Sequence, residues 1–297
     1  MTILVTGSAG RIGRAIYIHL ANQGYQVRGV DTTPCSTADL VGDLRDDEIR
    51  RQALEGVTAL VHTAALHAPH VGLASDERFW QVNLTLTQQL ADEGVRQGLK
   101  QVVFTSTTAL YGHGSKPRGG RAAWVDEQVI PQPRTIYHRT KLEAEQWLRR
   151  FSDETHLPVT VLRMSRCFPE AVDMMAVYRL SRGIDARDVA CAHELALRRC
   201  LPGFNLFNLS AATPFTQEDT QALYEDAACL IRQKVPKLAD EFDRRGWRLP
   251  HSLDRVYDVS AASRALRWQP EHGFESVLAL YDQSLAEVLP PGWQAAR

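Results

Sequence analysis

The chain predicts an α/β fold, a doubly wound parallel sheet with a smaller C-terminal lobe, and three observations carry that reading. Short apolar runs alternate with amphipathic stretches through the first half of the 297 residues, and alternating β and α units imply a parallel sheet covered on both faces. The first apolar run leads straight into a glycine-spaced turn, Gly7-Ser8-Ala9-Gly10-Arg11-Ile12-Gly13, and then into an amphipathic stretch. After about Ser165 the alternation fades, and Pro214, Pro236, Pro250 and Pro270 punctuate helices and loops.

Taken in order, Ile3–Thr6 reads as a strand, Arg11–Gln23 as a helix and Gln26–Val30 as a second strand. A short strand falls near Ala38–Val41, Asp46–Leu54 is helical, and Ala59–His62 is a strand again. Glu77–Gln97 has helical spacing and Gln101–Ser106 is rich in β-formers. Over 137–151, Tyr137, Lys141, Ala144, Leu148 and Phe151 recur at helical spacing, which sets them on one core-facing stripe. Val159–Leu162 is a further strand, and Phe204–Leu209 is expected to return to the sheet. The Gly/Pro/Arg-rich segment 112–134 is expected to be a surface loop, and Pro290-Pro291-Gly292 an irregular tail.

Composition excludes several classes of function. The formal net charge is −1 with both signs interspersed, so neither nucleic acid nor an anionic membrane is an expected partner. The five cysteines are odd in number and form no CxxC pair, which reads as reduced thiols in a cytoplasmic protein. Met1-Thr2 leads directly into Ile3-Leu4-Val5, so no signal peptide is expected. No apolar run approaches the ~18 residues that a membrane span requires.

The chemistry sits at strand ends. Gly7 suits a tight turn, Gly10 lets backbone approach a pyrophosphate, and Gly13 lets helix pack on strand in a Rossmann-type unit. Arg11 and Ile12 open the helix, whose N-terminus offers free N–H groups to phosphates. Asp31 ends the second strand, where a carboxylate accepts hydrogen bonds from ribose hydroxyls and repels a 2′-phosphate, favouring NAD over NADP. Asp43-Leu44 either meets the adenine or leaves Asp43 to cap the helix near Asp46. Thr63, Ala64 and Ala65 follow the fourth strand and are small enough for close approach to a cofactor. His62, His67 and His70 lack a carboxylate or cysteine to complete a metal set, so no metal is expected; His67 or His70 is a candidate substrate contact. The fifth strand ends in Thr105-Ser106-Thr107-Thr108, hydroxyls at the edge where α/β sheets bind ligands. Tyr137 and Lys141 place a phenol and an ammonium one turn apart on an inward face, where Lys is rare unless paired. That couple suggests proton chemistry.

Together these residues resemble the extended short-chain dehydrogenase/reductase family, in its epimerase/dehydratase branch. The resemblance covers nearly the whole chain. It rests on Gly7-Ser-Ala-Gly10-Arg-Ile-Gly13, Asp31, Asp43-Leu44, His62-x-Ala64-Ala65, Asn83, Phe104-x-Ser106-x4-Tyr111-Gly112, Tyr137-x3-Lys141, Leu162-Arg163 and Trp268-x-Pro270. It implies an NAD-binding domain over 1–164, rejoined by the strand near 204–209, and a smaller substrate-binding lobe over 165–297. Anchored on Tyr111-Gly112, the family's catalytic Ser/Thr falls on Thr107, the acid/base on Tyr137 and its partner on Lys141, with Tyr137 and Lys141 also against the cofactor. Asn83 matches a family asparagine near the active site and is assigned to the cofactor. His67, Thr107, Thr108 and Arg166 are the implied substrate contacts.

The resemblance further implies hydride transfer at a secondary alcohol or ketone of a carbohydrate-like small molecule, with a nucleotide sugar among the candidates. Departures qualify this. Thr108-Ala109 follow Thr107 where the family's dehydratases have Asp-Glu, so sugar dehydration is not expected. Arg163-Met-Ser-Arg166-Cys167-Phe168-Pro169-Glu170 lacks the asparagine of many nucleotide-sugar enzymes and looks more like short uronate dehydrogenases. Those carry an arginine soon after this run, where Met174-Met175 stand here. A uronate or aldose dehydrogenase is therefore the alternative, with Arg166, Arg179 and Arg182 as candidate cations for a carboxylate. A catalytically silent NAD-sensing protein is the alternative from another class. The family also implies a homodimer paired through the helices at 77–97 and 137–151, with Trp147 as a candidate interface aromatic.

Overall fold

A computed structural model describes residues 1–293. Its centre is a seven-stranded sheet in the order β3-β2-β1-β4-β5-β7-β8, every pair parallel. The strands are β1 (Thr2–Thr6), β2 (Gln26–Asp31), β3 (Leu40–Val41), β4 (Ala59–His62), β5 (Gln101–Thr107), β7 (Val159–Met164) and β8 (Phe204–Leu209). Helices α1 (Arg11–Asn22), α7 (Ala186–Arg199) and α11 (Ser260–Leu266) cover one face. The other face is covered by α2 (Asp47–Leu54), α4 (Leu86–Arg96) and α5 (Ile136–Thr155).

The strand alternation explains this double cover. On β1, Ile3 and Val5 enter the first core while Leu4 enters the second. Strand β5 is buried at every residue, as expected of a central parallel strand covered on both faces. The order reverses between β1 and β4, so a crevice opens at the carboxyl ends of these strands.

A third core lies apart from the sheet. It joins α6 (Val172–Tyr178), α8 (Thr220–Glu225), α9 (Ala227–Lys234), α10 (Pro236–Arg245) and α12 (Phe274–Asp282). The chain between 184 and 209 does not belong to it: α7 packs on the sheet and β8 extends the sheet beside β7. Trp268 is fully buried in the first core, with its Nε1 donating to Asp188 O at 3.1 Å.

The segment 112–134 is more than a surface loop. It contains β6 (Ala123–Val125), which pairs in parallel with β9 (Arg255–Tyr257), a partner some 130 residues away that no local pattern announces. The helical span expected at 77–97 forms as α3 (Asp76–Trp80), a π-helical turn at Gln81–Thr85, and α4.

Candidate active site

Strand β1 ends at Thr6, and Gly7 turns the chain with φ of +69°, a backbone state that glycine adopts freely. Gly13 lets α1 approach β1: a Cβ there would lie 2.1 Å from Gly7 O. Gly10 caps α1 without a side-chain hydrogen bond, so the first-turn N–H groups stay available to a ligand. Asp31, at the end of β2, accepts from Ala9 N at 3.0 Å and from Thr33 N at 2.9 Å, which holds its carboxylate beside the glycine turn.

These groups line one cavity of about 900 Å³ along the carboxyl ends of the strands. Gly7, Gly10, Arg11, Ile12, Gly13, Asp31, Asp43, Leu44, Thr63, Ala64 and Ala65 all border it, and so do Thr107, Tyr137 and Lys141. The loops are set tightly: a Cβ on Gly7 would meet Ala64 Cα and N at 2.9 Å. A glycine-floored cradle under a helix N-terminus, with a carboxylate at one end, fits a dinucleotide. Beside Leu44, Asp43 is already engaged. Arg45 Nε reaches its two oxygens at 3.0 and 3.1 Å and holds the carboxyl below its ordinary range.

The cavity also brings together Thr107, Tyr137 and Lys141. Thr107 closes β5 and accepts from Ala109 N at 3.1 Å. Tyr137 is partly buried at the start of α5, a helix capped by Thr135 Oγ1 on His138 N at 3.3 Å. Burial pushes its phenol up to about 12, and the nearby Thr107 hydroxyl acts the other way. Lys141, Ala144, Leu148 and Phe151 are buried along the same helix face. Desolvation brings the Lys141 ammonium down to about 7, opposed by the charge of Glu145. His62, on β4 behind this site, is driven to about 3 by burial first and by Lys141 second, so it is neutral.

Thr108, His67 and Arg166 border the cavity as well. The His67 ring stacks on Phe168, with centroids 6.0 Å apart and an interplanar angle of 11°. His67 N donates to His70 Nδ1 at 3.1 Å, and His70 itself does not border the cavity. Arg166 is held by Glu170, with Nε at 2.6 Å. Two further cations meet there: Arg182 and Arg255 both pair with Asp254, at 3.0 and 2.5 Å. Arg255 and Tyr257 stand on β9, so they reach the cavity only through the long-range pairing with β6. Arg179 is buried against Asp185 and does not border the cavity.

Asn83 is set apart from the other sequence-assigned residues. It is buried behind the wall, and its amide serves the protein: it accepts from Leu66 N at 2.8 Å and donates to Leu66 O and Thr140 Oγ1 at 2.9 and 3.0 Å. It therefore supports the loop after β4 and the start of α5. Trp147 stacks on Phe151 within the subunit, with centroids 4.8 Å apart.

Comparison with known proteins agrees with this geometry. Residues 3–177 match the model of the NAD dependent epimerase/dehydratase family. A UDP-glucose 4-epimerase of Bacillus subtilis is 29% identical over 338 aligned positions, covering 94% of this chain and 95% of that protein. Sterol demethylase protein B of Methylococcus capsulatus is 36% identical over 155 residues, 49% of this chain and 45% of its own length. The chain spans less than half the length of several of the curated relatives it matches. Among solved structures, a short-chain dehydrogenase/reductase superfamily protein from Agrobacterium tumefaciens with bound NAD superposes with a TM-score of 0.70 at 24% identity. That match covers 97% of this chain and 99% of the other, and at this identity it speaks for the fold. With the family model spanning more than half of the sequence, and the glycine turn, Asp31, Thr107, Tyr137 and Lys141 gathered on one cavity, the chain belongs to the NAD dependent epimerase/dehydratase family of NAD-using enzymes.

Proposed function

We propose that the protein transfers hydride at a secondary alcohol or ketone of an anionic, sugar-like substrate, with a nucleotide sugar as first candidate. The observation that carries this reading is the convergence of Thr107, Tyr137 and Lys141 on the cavity that the glycine turn and Asp31 also line. Bound NAD would supply the hydride acceptor. Thr107 holds and orients the substrate oxygen. Tyr137 takes the proton from that oxygen on oxidation and returns it on reduction. Lys141 favours the phenolate by its charge, against the burial that otherwise raises Tyr137. Asp31 holds the adenosine ribose.

The anionic character of the substrate rests on Arg166, Arg182 and Arg255. Planar guanidinium forks suit phosphate and carboxylate oxygens alike. A uronate or aldose dehydrogenase is the second reading, and one observation favours it. The alignment with the Bacillus epimerase runs over 338 positions, more than the 297 residues present here, so that relative carries insertions this chain lacks. A shorter chain leaves less to build a substrate lobe with, which suits a smaller substrate. A silent NAD-sensing protein is disfavoured by the complete Thr107, Tyr137 and Lys141 set.

The working division is an NAD-binding domain over 1–164, joined by β8, and a substrate-binding lobe over 165–297. A cytoplasmic homodimer joined through the helical spans 77–97 and 137–151 completes the reading. The five free thiols support the compartment, and the dimer follows from the family resemblance alone. Light scattering at micromolar concentration that gave only the monomer mass would remove the dimer.

The reaction type is tested by incubating the protein and excess NAD with UDP-glucose and, separately, with free hexoses and hexuronates. The NADH absorbance band is followed, and the sugars are analysed. Scrambled stereochemistry without net NADH supports the epimerase. Steady NADH with a free sugar or uronate supports the dehydrogenase and rejects the first reading. NAD binding without turnover on the panel favours the sensor.

A further inference from the structure

A chain of buried polar side chains runs behind Lys141. Ser106 Oγ donates to Glu145 Oε1 at 2.5 Å. Arg163 grips the same carboxylate, with Nε at 3.1 Å and Nη2 at 2.6 Å. Its remaining nitrogen, Nη1, donates to the Tyr111 hydroxyl at 3.0 Å, and that hydroxyl bonds Asn208 Oδ1 at 2.8 Å. Asn208 Nδ2 then reaches Val125 O on β6 at 3.3 Å. Glu145 and Arg163 are only 3% and 4% exposed.

An ion pair this deep is costly for stability alone. Desolvation takes several kcal/mol per ion, and apolar residues of similar volume often serve a fold as well or better. The position of Glu145 suggests a second role. It lies one turn beyond Lys141 on α5, and Lys141 is itself buried. The direct partners of the ammonium are uncharged: Thr105 O at 2.7 Å and the face of Phe104 at 3.7 Å.

The titratable groups around Lys141 come from four elements. Tyr137 and Glu145 share its helix. His62 faces it from β4 and is neutral. His193, on α7, bonds Thr105 Oγ1 at 2.7 Å and is neutral by burial. Arg163 comes from β7 and adds positive charge, which cannot favour a second cation. Among these groups of the described residues, Glu145 is the one carboxylate.

We propose that Glu145 is a positioning residue for Lys141: oriented by Arg163 and Ser106, its carboxylate is the counter-charge that keeps the buried ammonium available to the Tyr137 phenol. The role given to Tyr137 rests on the function proposed above; the electrostatic coupling of Glu145 to Lys141 does not. Removing the anion weakens proton binding at Lys141, so the ammonium is lost at lower pH. Burial already places Lys141 near neutrality, where that loss matters.

The chain has only five lysines, Lys100, Lys116, Lys141, Lys234 and Lys237. Side-chain NMR of lysine-labelled full-length protein can therefore follow Lys141 directly, with Lys141→Met assigning its resonance. In Glu145→Gln, the Lys141 proton affinity is expected to fall about tenfold or more, while Glu145→Asp stays near wild type. If Glu145→Gln fails to fold with Arg163 unpaired, the double variant Glu145→Gln/Arg163→Gln removes the stranded charge and is expected to shift Lys141 in the same direction but by less, because the lost Arg163 charge offsets part of the lost anion. A folded variant in which Lys141 titrates as in wild type overturns the proposal and leaves Glu145 a structural residue. Failure of the functional reading looks different: turnover survives Tyr137→Phe, whatever Lys141 does.

Discussion

The Lys141 ammonium donates a 2.7 Å hydrogen bond to the Thr105 backbone carbonyl. With the bond from Ser106 to Glu145, this contact ties α5 to β5, the strand that ends at Thr107. The register of β5 therefore governs where helix and strand present Tyr137 and Thr107 to the same cavity. Lys141 is thus a structural tie one helical turn from Tyr137.

The first expectation follows from that arrangement. Tyr137→Phe should leave NAD binding nearly intact and lower turnover by about 10²-fold or more, within the range for loss of a general acid/base. Lys141→Met should weaken both, because it removes the tie and the charge together. Wild-type rates in Tyr137→Phe would remove the central claim.

Cofactor choice depends on Asp31. Its carboxylate is held by Ala9 N and Thr33 N, so it cannot easily swing away from a 2′-phosphate. NAD should bind more tightly than NADP at equal ionic strength, and Asp31→Ala should narrow the gap. Dissociation constants for both nucleotides decide it; tighter NADP binding in the wild type places Asp31 off the ribose.

Acid sensitivity has a defined origin. Burial lowers His62 to about 3 and His193 to about 4, from an ordinary value of 6.5. In this window the unfolded chain binds more protons than the folded one, so stability rises with pH. The contribution is complete above about 6.5 and is lost as pH falls toward the folded values. Urea unfolding at pH 7 and pH 5 should show a smaller loss for His193→Gln than for wild type. Equal losses would exclude His193 as a source.

Gly13→Ala is expected to damage both stability and cofactor binding. The added Cβ meets backbone, Gly7 O at 2.1 Å, and backbone cannot rotate away as a side chain can. A cost of about 1–3 kcal/mol or more is expected, read as a lowered Tm together with a raised Kd for NAD. An unchanged Kd in a folded variant would show that the glycine turn is not the phosphate cradle.

Much of this protein was legible locally. Gly7 to Gly13 declare a strand, turn and helix within eight residues, because turn geometry and close packing are short-range demands. Helix α5 announced itself by periodicity, and its stripe carried Tyr137 and Lys141 to the cavity. The alternating apolar runs sufficed for a parallel sheet, because each strand must be apolar on both faces. What tertiary structure alone decided involves residues far apart in the chain. Arg255 and Tyr257 join the site only because β9 pairs with β6 across the second lobe. Asn83 turned inward to Leu66 and Thr140, a choice of hydrogen-bond partner that no spacing encodes. The pairing of Glu145 with Arg163 is of the same kind. One lies on a helix and the other on a strand 18 residues later, and only the packing of α5 against β7 closes the distance to 2.6 Å. Periodicity reports which face of an element is buried; which charges meet inside depends on how the elements cross.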